Sequence, residues 1–172
     1  MSVVVAATFI GATAQKRLPP QRTPPKQFAG PHVSQIGLDG LKTILKPQGK
    51  PLLINFWATW CDPCREEFPD LVKLDAAYKG KIDFLVVSLD DAVDITTTVP
   101  KFLAQNNAKM PAFLLSTGDE STAISTISSD YHGSLPFTVL FTPDGKMVYS
   151  REGKLKTTAV TAEIDKLLTG NK

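Results

Sequence analysis

The segment that most restricts this chain is Leu52-Leu53-Ile54-Asn55-Phe56-Trp57 running into Trp60-Cys61-Asp62-Pro63-Cys64. So apolar a run reads as a central strand covered on both faces. Beyond it the period changes. Phe68, Leu71, Val72 and Leu74 recur at helical spacing, which predicts a helix from about Cys61 to Lys79. A buried strand therefore passes to a helix within a few residues, and both cysteines of the chain sit at the joint. Pro63 suits a first helical turn, where its missing N–H costs nothing. Pro69 is expected to kink the helix, because its ring removes a donor and crowds the turn before it.

Such a strand needs partners on either side, and the rest of the sequence supplies them. Asp39 is placed to cap a short helix through Lys46, with Leu41, Ile44 and Leu45 on one face and Pro47 ending it. Ile82 to Leu89 reads as the next buried strand. Pro100 to Asn107 follows as a helix, Ala112 to Ser116 as a strand, and Glu120 to Tyr131 as another helix. Phe137–Phe141 and Lys146–Tyr149 form a hairpin across Thr142-Pro143-Asp144-Gly145, which has tight-turn residues. A last helix, Thr158 to Leu168, gathers Val160, Ile164, Leu167 and Leu168 on one face and stops at Gly170. Strands alternating with helices, then a closing hairpin and helix, predict an α/β fold with helices on both faces of one sheet.

Three regions divide the chain. Residues 1–14 are read as a signal peptide or membrane anchor: Val3 to Ala14 is small and apolar, and Ala12-Thr13-Ala14 offers a cleavage pattern. The run is shorter than the roughly 20 residues of a spanning helix, and the usual preceding Lys or Arg is absent. Residues 15–33 are read as a linker, since Pro19, Pro20, Pro24, Pro25 and Pro31 favour an extended polyproline tether. Residues 34–172 make one domain. At 172 residues a chain buries about 70% of the surface it exposes unfolded, so this one needs no staple to hold it.

That makes the cysteine pair more useful as chemistry than as structure. A bridge over two intervening residues closes so small a loop that the chain-entropy model gives it only about 2 kcal/mol. A thiol at a helix N-terminus, by contrast, gains from unpaired N–H groups and the helix dipole, which favour its thiolate. Cys61 and Cys64 are therefore read as a redox-active disulfide. Asp62, between them, adds a negative charge that opposes the thiolate and favours a reducing poise. Formal net charge is only +2, with no footprint for nucleic acid. His32 and His132 have no neighbouring cysteine to make a metal set, and no phosphate-cradling glycine loop is present. No cofactor or metal is expected.

The stretch Phe56-Trp57-Ala58-Thr59-Trp60-Cys61-Asp62-Pro63-Cys64-Arg65-Glu66-Glu67-Phe68-Pro69, with Gly133-Ser134-Leu135-Pro136-Phe137-Thr138 and Asp144-Gly145-Lys146 later on, resembles the TlpA/ResA-like family of thioredoxin-fold thiol–disulfide oxidoreductases. The resemblance covers roughly residues 34 to 172. It implies a thioredoxin-like central mixed sheet flanked by helices, with that family's strand–helix insertion between about Asp91 and Tyr131. It implies that Cys61 attacks a partner disulfide and that Cys64 resolves the mixed disulfide. Pro136 would be cis, with the backbone of Leu135 free to pair with a substrate segment. Glu67, three residues after Cys64, would share a helix face with it and take its proton, unless it faces solvent as Glu66 is expected to. Trp60 would shield the nucleophile and touch partners, or be a plain aromatic; Trp57 would be core. A thiol peroxidase is disfavoured, because no Pro-x-x-x-Thr-x-x-Cys loop is present.

The function so implied is extracytoplasmic (periplasmic, secreted or membrane-anchored): reduction of disulfides in exported proteins, apocytochrome haem-site cysteines in cytochrome c maturation among them. Partners would be protein disulfides and a membrane or soluble thiol electron donor, with an N-terminal membrane tether if the apolar start is kept. The alternatives are a disulfide oxidase or isomerase, and a non-catalytic binding or chaperone domain whose bridge is structural.

Overall fold

A computed structural model describes Met1 and residues 31–170. The chain runs through β1 (Val33–Ile36), α1 (Leu38–Ile44), β2 (Leu52–Trp57), α2 (Asp62–Ala77) and β3 (Asp83–Ser88). It continues through α3 (Thr98–Gln105), β4 (Ala112–Leu115), α4 (Glu120–Ser125), β5 (Phe137–Phe141), β6 (Met147–Glu152) and α5 (Thr157–Leu168), with a 3₁₀ turn at Ala92–Thr96 before α3. One mixed sheet holds the strands in the order β1-β4-β3-β2-β5-β6. The first four of that order are parallel, while β5 and β6 run antiparallel to their neighbours.

Alternation along the strands sorts the core into two layers. From β2, Leu53 and Trp57 point to one face, where Phe68, Leu71 and Leu74 of α2, Val99 and Leu103 of α3, and Val160 and Ile164 of α5 cover them. Leu52, Ile54 and Phe56 point to the other, against Leu41 of α1, Ile124 of α4 and Phe137, Val139 and Phe141 of β5. All six residues of β2 are buried, as a doubly covered central strand requires. Trp57 is core: its ring lies 4.7 Å from Phe68 and 5.0 Å from Phe102, centroid to centroid.

Several boundaries differ from the expectation. Gly37, not Asp39, occupies the N-cap of α1. β1 was not foreseen, and Val33, assigned to the linker, opens it. α3 starts at Thr98, which places Pro100 inside the first turn, where proline is tolerated. α4 stops at Ser125 rather than Tyr131; the segment beyond is drawn towards β6, where Ser150 Oγ donates to Asp130. α2 runs on through Pro69 to Ala77. Pro69 and Arg65 are both outside the apolar core stripe of the helix: Arg65 is exposed, and it is the carbonyl of Arg65 that loses its helical donor at Pro69. The hairpin turn needs Gly145 in particular, whose φ of +88° favours a residue without Cβ. The expected signal or anchor and nearly all of the linker lie outside the described residues.

Candidate active site

β2 delivers the chain to the site. After Trp57 three residues turn it into α2, and Cys61 becomes the N-cap of that helix, its Sγ accepting the Cys64 N–H at 3.3 Å. Cys61 and Cys64 are joined as a disulfide, with an S–S distance of 2.03 Å. Pro63 lies in the first turn. Cys64 is wholly buried, whereas Cys61 keeps 6% of its surface exposed. Both cysteines are buried, and of the two only Cys61 retains any exposed surface. Trp60 beside it is 66% exposed, which rules out a core role for that ring.

The turn between β2 and α2 is tethered from β3. Asp90, just past the end of that strand, is buried and accepts the Thr59 N–H on both oxygens at 3.1 and 3.0 Å. It also accepts the Thr59 and Ser88 hydroxyls, each at 2.5 Å. This knot, close to Cys61 in the chain, was not read from the sequence. The only available signal was an acid directly following an apolar strand.

Three residues beyond Cys64 on α2 lies a buried polar group. Glu67 is 1% exposed. Its Oε1 accepts the Asn55 side-chain amide at 2.9 Å, and its Oε2 accepts the Leu155 N–H at 2.5 Å. Asn55 also donates to Thr138 at 3.0 Å, the residue directly opposite it on β5. Burial pushes the Glu67 carboxyl above the ordinary carboxylate range; the Leu155 and Asn55 donors and the nearby Lys154 and Arg151 cations pull it back only in part. Glu66, the preceding residue along α2, faces solvent and pairs with Lys154 at 3.0 Å. The two neighbouring acids thus part company, one inward and one outward. Asp62 is exposed and pairs with Arg65 at 3.1 Å, so its charge beside Cys61 is offset by a cation one turn along.

The second sequence block approaches through β5. The Leu135–Pro136 peptide is cis, and Pro136 is anchored by its carbonyl, which accepts the Gly153 N–H at 2.8 Å. Leu135 is half-buried and touches both core layers. Among the described residues no group of three or more His, Cys, Asp or Glu side chains is arranged to hold a metal, and no helix is long and apolar enough to cross a membrane. A cavity of about 560 Å³ lies at the far end of the sheet, between the Lys46–Lys50 loop and the entry ends of β2 and β3.

A family model described as Redoxin matches residues 29–168, most of the chain and all the elements above. The chain belongs to the Redoxin family. Within that family it is similar to a thiol-disulfide oxidoreductase ResA of Bacillus cereus, at 35% identity over 119 residues, 69% of this chain and 64% of that protein. ResA of Bacillus thuringiensis subsp. konkukian is 32% identical over 126 residues, 72% of this chain and 68% of its own. The Redoxin chain thus spans about two thirds of the length of these relatives. A solved thiol:disulfide interchange protein of Chlorobium tepidum TLS shares the fold, with a TM-score of 0.59 at 20% identity over 74% of this chain and 84% of its own. The TlpA/ResA-like resemblance read from Phe56–Pro69, Gly133–Thr138 and Asp144–Lys146 is upheld by these matches.

Proposed function

We propose that this Redoxin protein is a thiol–disulfide oxidoreductase that reduces disulfides of exported proteins outside the cytoplasm. The observation that carries the chemistry is the Cys61–Cys64 disulfide at the mouth of α2, with Cys64 wholly buried and a small part of Cys61 left exposed. In the reduced form the Cys61 thiolate attacks a sulfur of the partner's disulfide. That S–S bond breaks as a Cys61–partner bond forms, and the expelled partner thiolate takes up a proton. Cys64 then gives its proton to Glu67 and attacks the Cys61 sulfur, releasing the second partner thiolate. Two electrons have passed to the partner, and the Cys61–Cys64 bridge waits for an external dithiol donor. Trp60, the Leu135 backbone and Pro136 receive the partner's chain beside the sulfurs.

Kinship with proteins named thiol-disulfide oxidoreductase supports the reaction class. The reducing direction rests on analogy with ResA more than on Asp62, because Arg65 takes up much of that charge. Reduced protein is expected to cleave insulin disulfides, and Cys64→Ser to accumulate a mixed disulfide through Cys61. Absence of both turnover and trapped partner would favour a non-catalytic domain. A midpoint potential near about −120 mV, that of a strong oxidant, would reverse the direction to oxidase.

A further inference from the structure

Leading into Pro136, the segment Asp130–Ser134 lies along one face of the edge strand β6 and is held there by side chains two residues apart. Ser150 reaches Asp130, and Glu152 reaches the next rung. The Glu152 rung is the denser. Its Oε1 accepts the His132 N–H at 3.2 Å and also the Ser134 N–H; its Oε2 lies 3.3 Å from the same His132 nitrogen and 3.2 Å from the His132 ring Nδ1. One carboxylate thus collects two backbone donors and a ring nitrogen from the residues just before Leu135 and Pro136. Gly133, between the two backbone donors, has φ +101°, a conformation few other residues would hold unaided. The Glu152 side chain is only 19% exposed. Desolvation works to raise its pKa, but the Ser134 and His132 donors outweigh it and leave the carboxyl below its ordinary range.

We propose that Glu152 is a positioning residue for partner recognition, fixing the backbone of the Gly133–Pro136 loop so that Leu135 meets an incoming chain in one geometry. The proposal rests on the oxidoreductase reading, since it assigns Leu135 to the partner. Glu152 touches neither sulfur in the contacts above, and its effect is confined to substrates with a polypeptide chain to align.

The test compares parent, Glu152→Ala and Glu152→Gln, each as the full chain. Glutamine keeps an oxygen for both N–H donors and can offer its amide to the His132 ring, so it is the conservative rescue. Glu152→Ala should raise KM for insulin about five- to tenfold, with kcat within about twofold, while reduction by dithiothreitol and the midpoint potential stay unchanged. Glu152→Gln should recover most of the loss. Equal losses towards insulin and dithiothreitol, or an unchanged KM, would overturn the proposal. Amide hydrogen exchange at His132 and Ser134, the two donors Glu152 holds, read on the same proteins, judges the loop independently of turnover. Roughly tenfold faster exchange in Glu152→Ala is expected, and unaltered exchange overturns the inference. Should the parent itself fail to reduce insulin, the oxidoreductase reading falls while the exchange result still decides whether Glu152 holds the loop.

Discussion

Glu67 sits where a carboxyl is costly to ionise and yet is not left unserved: one oxygen takes the Asn55 amide, the other the Leu155 N–H. Its pKa is raised in the folded protein, which fixes a sign. A raised acid stabilises the fold fully below its ordinary value of 4.5, and that contribution fades as pH climbs through the folded value. Urea titrations of oxidised protein should show this decline, and Glu67→Gln should lack it. In reduced protein the same substitution should lower the pKa of Cys61 by removing a negative charge near the thiols; an unmoved thiol titration would refute a proton-handling role. Removing the donor acts oppositely. Asn55→Ala should push Glu67 higher still and cost about 1–2 kcal/mol, measurable by denaturation and carboxyl NMR. The TlpA/ResA-like resemblance singled out Glu67, and a separation of three along the helix put it on the same face as Cys64. Its partners were not: Leu155 is 88 residues away in sequence, and no local period announces such a meeting.

At the level of elements, β2 and α2 were legible to within a residue or two. Their apolar patterns are long, pure and of different period. β1 was missed because Val-Ser-Gln-Ile has no pattern of its own; it is a strand through its pairing with β4. α4 fell short of its expected end because Ser128, Ser129 and Asp130 offer polar side chains in place of a continuing apolar stripe. The Asp90 knot belongs to this scale, since it joins the exit of β3 to the turn that carries Cys61. Asp90→Ala would strand the Thr59 N–H and two hydroxyls, and should cost about 2–3 kcal/mol in chemical denaturation. A loss below about 0.5 kcal/mol would mean that the turn holds itself. Neither this knot nor the Glu152 contacts could be read from sequence, because each joins segments that only the folded sheet brings together.

Across the whole molecule, two buried layers clamp a continuous sheet, and the Cys61–Cys64 bridge spans only one turn of one helix. Reduction should therefore leave the fold intact. Oxidised and reduced forms are expected to differ by no more than about 2 kcal/mol in unfolding free energy, and a reduced protein that melts out of the folded state would contradict this. The polarity of the sheet has a practical side. All the redox-active groups gather where β2 and β3 finish, whereas the Lys46–Lys50 loop, with Pro47 near the β5–β6 turn at Gly145, lies where those strands begin. A fluorophore or a surface linkage grafted at Gln48 would ride on the rigid frame and report on orientation or capture, leaving the electron-exchanging pole open to its partners.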